Sequence, residues 1–205
     1  MIQGPAGPLD ALHEGPEDGV SVVRAAVFCH PHPLHGGTMH NKVVFRLARA
    51  AHRSGAAVLR FNFRGVGLSR GEHAGGMGEQ DDLRAALDYM TARYPQLPLA
   101  LGGFSFGARV ALQVFCGNPN LERLICCGAP VSRADWSFVG HCTGPKFFLH
   151  STNDEYAPQA ALQQVFDSAA GPKRLAWIDS ADHFFSDALD RLEEAAYAAM
   201  TASVA

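Results

Sequence analysis

A serine hydroxyl is a poor nucleophile until a base accepts its proton, and the base itself must be held in one orientation. Residues of the right types stand at three separate points of the sequence. Gly103-Phe104-Ser105-Phe106-Gly107 sets Ser105 between two glycines, Ser151-Thr152-Asn153-Asp154-Glu155 carries Asp154, and Ser180-Ala181-Asp182-His183-Phe184 carries His183. Serine, then acid, then histidine is the chain order of hydrolases whose nucleophile sits on a strand-to-helix turn. The chemistry implied is acyl transfer, with Ser105 attacking a carbonyl, His183 as base and Asp154 orienting it. Each residue also has a plainer reading: Ser105 as a helix N-cap, Asp154 as a solvated loop carboxylate, His183 as one of ten histidines. Glu155, Asp179 and Asp182 compete for the acid role, though the last two lie too near His183 in sequence to reach its far ring nitrogen readily.

Acyl transfer also needs N–H donors for the developing oxyanion. One is expected at Phe106, the residue after the nucleophile. The other is expected in His30-Pro31-His32-Pro33-Leu34-His35-Gly36-Gly37, where the two prolines have no N–H and would stiffen the loop. That leaves His32 or Leu34, and His32 is the favoured donor. Leu34 and Trp136 are expected at the substrate, with Phe138 and His141 beside Trp136, although ordinary packing explains Trp136 as well. Arg64 reads first as a structural ion pair. No cofactor or metal is implied, and activity should fall below about pH 6 as a histidine base takes up a proton.

Two rival classes remain. His30, His32 and His35 form an H-x-H-x-x-H string, and clustered histidines can hold zinc in a metal-dependent hydrolase. That string lacks the nearby Asp of the H-x-H-x-D-H pattern and leaves Ser105 and His183 without a purpose. The other rival is a non-catalytic scaffold that binds a small ligand.

These residues must be positioned by the elements between them. Apolar runs at Arg24 to His30, Ala56 to Phe63, Leu97 to Phe104, Leu121 to Cys127, Lys146 to His150 and Arg174 to Ile178 read as strands. Stretches from Thr38 to Arg53, Glu79 to Arg93, Phe106 to Cys116, Pro158 to Ser168 and from Ser186 onward read as helices. Alternation of this kind predicts an α/β fold with a mostly parallel sheet covered on both faces and ligands at the carboxyl ends of the strands. Ser105, Asp154, His183 and the His30 loop all fall just after strands.

The 205 residues, 47% hydrophobic and 18% charged, fit one domain spanning 1–205. A chain of this size buries roughly 70% of its unfolded surface, enough to need no staples. A net charge of −3 argues against a nucleic-acid partner. No run approaches the roughly 18 apolar residues of a membrane span, and the N-terminal stretch MIQGPAGPLDALHEG lacks the regions of a secretory signal. Five cysteines do not suggest a disulfide framework, and Cys29, Cys126 and Cys127 read as small core residues. The expectation is a cytoplasmic protein acting on a small acyl substrate, with its oligomeric state open and a homodimer compatible.

The strings CHPHPLHGGTMHNKVV, LRFNFRGVGLSRGEH, GGFSFGA and ADHFF resemble a family of small bacterial α/β-hydrolases related to the dienelactone-hydrolase-like branch. The resemblance runs from Gly4 to about Leu192. It implies an α/β-hydrolase fold without a cap domain, a triad at Ser105, Asp154 and His183, and an oxyanion region in the HPHP loop. Dienelactone hydrolases use a cysteine nucleophile where this chain has Ser105, so their substrate is not carried over. The short stretch between Cys127 and Lys146 leaves little room for a lid.

Overall fold

The computed structural model describes residues 1–15 and 21–203. The chain opens with a hairpin of β1 (Ile2–Gly4) and β2 (Gly7–Leu9), followed by β3 (Ala11–Glu14). Then come β4 (Arg24–Cys29), α1 (Lys42–Arg53), β5 (Ala56–Phe61), α2 (Met77–Arg93), β6 (Leu99–Phe104) and α3 (Phe106–Cys116). The remainder is β7 (Leu121–Cys127), β8 (Lys146–Ser151), α4 (Gln159–Ser168), β9 (Lys173–Ile178) and α5 (Leu189–Thr201). The main sheet runs β3-β5-β4-β6-β7-β8-β9 and is parallel throughout except for β3, which pairs antiparallel with β5.

Side chains alternate between the faces of each strand, and both faces are covered. Ala25, Val27 and Cys29 of β4 join the core layer of α2, α3 and α4, whereas Ala26 and Phe28 join that of α1 and α5. Burial on both sides explains why β5 and β6 are buried along their whole length and read as continuous apolar runs. The first three strands carry no such signal. They are three or four residues long and interrupted by Gly4, Pro5, Gly7 and Pro8, a composition that otherwise marks turns. Helix α1 starts at Lys42 rather than near Thr38, because Asn41 Oδ1 accepts from the N–H groups of Val43 (2.9 Å) and Val44 (3.4 Å) and caps it.

One cysteine expectation is corrected. Cys116, at the end of α3, and Cys142 form a disulfide with their Cα atoms 4.6 Å apart. The pairing joins positions 26 residues apart, which only the fold of the intervening β7 and its loop brings together. Cys29, Cys126 and Cys127 are free and buried in the core, as expected. Segment 128–145 holds two short 3-10 turns, Val131–Arg133 and Ser137–His141, and no lid. Among the described residues no helix is long and apolar enough to cross a membrane.

Helices α1 and α5 are locked together by a carboxylate with a side chain only 2% exposed. Glu193 accepts from Arg46 (2.9 Å) and Arg53 (2.9 Å) and pairs with Arg49 at 3.0 Å. Glu193→Ala removes these charge-assisted bonds, and we expect a loss of about 2 kcal/mol of stability. Urea unfolding should show a lower midpoint with an unchanged slope.

Candidate active site

The elbow after β6 is a backbone conformation that the surroundings enforce. Ser105 has φ 56 and ψ −119, a positive φ that side-chain-bearing residues rarely adopt. Its N–H donates to the Cys127 carbonyl (2.9 Å), tying the turn to β7. A Cβ on Gly103 would overlap the Gly107 carbonyl, and one on Gly107 would overlap the carbonyls of Cys29 and His30. The first turn of α3 can therefore sit directly on the end of β4. Ser105 makes no side-chain capping bond to the helix, which removes the simple N-cap reading. Its hydroxyl is partly exposed and has no hydrogen-bond partner among the described residues, His183 included.

The loops after β8 and β9 bring an acid and an imidazole together. Asp154 Oδ2 lies 2.7 Å from His183 Nδ1, with Asp154 5% and His183 1% exposed. Asp154 Oδ1 accepts from the N–H groups of Tyr156 (2.8 Å) and Ala157 (3.0 Å), so both carboxylate oxygens are held. A carboxylate only accepts, so Nδ1 carries the proton and Nε2 keeps a lone pair. Glu155 does not compete for the ring: its Oε2 accepts from the His183 backbone N–H at 3.3 Å. Asp182 is occupied with Phe184 and Ser186, and Asp179 with Thr152. The two loops are pinned to each other by Ser180 Oγ on Ser151 Oγ (2.6 Å) and by Asn153 Nδ2 on the Ser180 carbonyl (2.7 Å).

The imidazole is also enclosed by rings. Its centroid lies 4.8 Å from that of Phe104 and 4.8 Å from that of Tyr156. Phe104 is the residue before Ser105, so the elbow and the histidine share a wall. Gly128, at φ 55, completes it, since a Cβ there would stand 2.8 Å from the Phe104 ring and 3.2 Å from His183 Cε1. The turn after β7 is held by His150 Nε2, which accepts from the Ala129 N–H at 3.2 Å. Neither Gly128 nor His150 was anticipated. The available signal was a histidine closing an apolar strand, in the same way as His30.

The loop after β4 distributes its three histidines. His30 is fully buried and bridges two backbone groups, the Pro31 carbonyl at 2.7 Å and the Phe63 N–H at 3.0 Å. His32 and His35 lie nearer the surface with rings stacked at 4.5 Å. With both His30 nitrogens engaged, the three do not converge on a common centre. No group of three or more His, Cys, Asp or Glu side chains among the described residues could hold a metal ion. The Leu34 N–H is taken by His32 Nδ1 at 3.3 Å, while the N–H groups of His32 and Phe106 have no partner among the described residues. The rings of these two residues lie 4.9 Å apart, so the loop and the start of α3 are neighbours.

The remaining candidates separate. Leu34 is 69% exposed at the tip of the loop. Trp136 is only 5% exposed, packs with the core against Phe138 and lines a surface pocket with Val131, Asp135 and Val165. His141 is exposed on the last residue of its 3-10 turn. Arg64 is the expected structural pair, with Nη2 2.8 Å from Oδ1 of the fully buried Asp82.

A family model described as serine aminopeptidase, S33, matches residues 24–139, from β4 through the elbow to the second 3-10 turn. The chain belongs to this family of serine hydrolases. An uncharacterized protein of Rickettsia prowazekii is 37% identical over 170 residues, covering 78% of this chain and 71% of that protein. The solved structure of an α/β serine hydrolase homologue from Coxiella burnetii superposes with a TM-score of 0.90 at 36% identity, covering 96% of this chain and 93% of the other. A lidless α/β serine hydrolase from Xanthomonas campestris gives 0.89 at 37% identity, covering 97% and 90%. The α/β-hydrolase fold without a cap is thereby shown. The family match stops short of Asp154 and His183.

Two of the buried imidazoles are kept neutral by burial, which pushes His30 down to about 4 and His150 down to about 3. In the unfolded chain each takes up a proton near pH 6.5. Their contribution to stability is therefore complete above that pH and is lost as pH falls from 6.5 toward those values. At pH 5 the loss should be about 2 kcal/mol from each. Urea unfolding at pH 7.5 and 5 should show this drop, and equal stability at both would contradict the neutral, buried assignment.

Proposed function

We propose that Ser105, His183 and Asp154 form the catalytic triad of an esterase-type hydrolase, cleaving carboxylic esters or thioesters through an acyl-serine intermediate. The observation that carries this reading is the 2.7 Å bond from His183 Nδ1 to a carboxylate whose other oxygen is fixed by two backbone amides. It leaves Nε2 as the basic nitrogen. His183 takes the Ser105 proton as Oγ attacks the substrate carbonyl, and the N–H groups of His32 and Phe106 receive the oxyanion. Collapse of the tetrahedral intermediate returns the proton to the leaving group. Water activated by the same imidazole then releases the acid and restores Ser105. Asp154 stabilises the transient imidazolium. We assign substrate contact to Leu34, at the exposed loop tip, and to Trp136 after β7.

The HPHP loop and the GGFSFGA elbow support kinship with the dienelactone-hydrolase-like branch, with serine replacing cysteine. We take the chain as one domain over 1–205 acting on a small substrate in the cytoplasm. The Cys116–Cys142 disulfide weighs against that last placement, since disulfides persist mainly in oxidising compartments.

The test combines a fluorophosphonate probe with a panel of short acyl esters, thioesters and aminoacyl anilides, each with and without chelator. Wild type should be labelled and should hydrolyse esters or thioesters regardless of chelator. Ser105→Ala should lose labelling, and Ser105→Ala and His183→Ala should each lose roughly 10⁴-fold or more in kcat. Asp154→Asn should lose less than either. Preferred cleavage of aminoacyl anilides would replace the esterase reading with a peptidase one, and activity surviving Ser105→Ala would reject the triad.

A further inference from the structure

We infer that His30 is the positioning residue of the oxyanion hole: by bridging the Pro31 carbonyl and the Phe63 amide, it aims the His32 N–H at the acyl oxygen. This rests on the reading of Ser105 as the nucleophile. His30 Nδ1 lies 2.7 Å from the Pro31 oxygen and Nε2 lies 3.0 Å from the Phe63 nitrogen. A carbonyl can only accept and a backbone amide can only donate, so the proton is on Nδ1 and the lone pair on Nε2. The ring is a neutral imidazole in a single tautomer, fully buried between two pieces of backbone.

The consequence follows from peptide geometry. The Pro31 carbonyl and the His32 N–H belong to one planar trans unit and point in opposite directions. Holding the carbonyl on the His30 ring turns the N–H away from it. The next peptide is fixed as well, because the His32 carbonyl accepts from the N–H groups of His35 and Gly37, both at 3.1 Å. Gly37 packs so close to the Pro31 carbonyl that a Cβ there would overlap it. The donor peptide is therefore restrained on both sides of His32, and its N–H is left without an internal partner. Gly107 seats α3 on the carbonyl of His30 itself, so one residue sets the place of both donors, His32 and Phe106.

The experiment uses full-length wild type, His30→Leu and Gly37→Ala, compared below their unfolding temperatures. Steady-state kinetics on a short acyl ester are combined with infrared difference spectra of the acyl-enzyme formed from a slowly released ester labelled at its carbonyl carbon. In wild type the acyl carbonyl should absorb at lower frequency than in the free ester, because the hole polarises it. In His30→Leu the band should move back toward the free-ester position, with kcat down roughly 10²-fold and KM little changed. Gly37→Ala presses on the same carbonyl while leaving the imidazole intact, and should shift the band and kcat in the same direction. If His30→Leu does not fold, a wild-type band and kcat in Gly37→Ala would still overturn the inference, because the Pro31–His32 peptide would then not form the hole. Folded variants with the wild-type band and kcat would overturn the role of His30 while leaving Ser105 in place. A wild type that never acylates Ser105 would overturn the underlying reading and this inference with it.

Discussion

The contact of Gly107 with the carbonyls of Cys29 and His30 leaves no room for a Cβ. Three features depend on it. The start of α3 can sit on the end of β4 only if position 107 has no side chain. With α3 seated there, the chain leaving β6 must turn sharply, and Ser105 is forced to a positive φ. The same contact brings the Phe106 amide next to the loop that carries the His32 amide. The proposed oxyanion hole is thus built mainly from backbone, which reorganises little when charge develops on a substrate. The cost is local strain at Ser105, offset by the hydrogen bond to Cys127 and by the buried strands on either side.

Around this frame the protein uses buried histidines in two different ways. His30 and His150 are neutral struts, each accepting a backbone N–H where a strand gives way to a loop. His183 is equally buried, but it faces a carboxylate, so one ring nitrogen is held and the other remains basic. Burial alone therefore does not separate His183, the proposed base, from the structural imidazoles. The partner does. A histidine bonded only to the backbone has a fixed tautomer, and at His30 and His150 burial outweighs the pull of Glu79 and Asp154 toward the charged form.

Much of this was legible in the sequence because the fold repeats one physical unit. Strands buried on both faces read as unbroken apolar runs, and the loops after them are where polar residues can be chemically useful. Ser105, Asp154 and His183 stand out on that basis, as does the HPHP loop. What was not legible depends on contacts between distant segments. Strands β1 to β3 hide in glycine- and proline-rich sequence and are defined by their pairing. The Cys116–Cys142 bond needs α3 and a later turn to meet. The position of Trp136 after β7 does not reveal that it packs with the core against Phe138 while lining a pocket with Val131 and Val165. The H-x-H-x-x-H spacing gives no sign that both His30 nitrogens bond the backbone, at the Pro31 carbonyl and the Phe63 N–H.

The most direct measurement is a crystal structure of the protein after reaction with a phosphonate inhibitor that mimics the tetrahedral intermediate. The account predicts phosphorus bonded to Ser105 Oγ, with the phosphoryl oxygen about 2.7–3.1 Å from the amide nitrogens of both His32 and Phe106. His183 Nε2 should face Oγ or the leaving-group position. Phosphorus on another residue, or a phosphoryl oxygen turned away from these two amides, would contradict it.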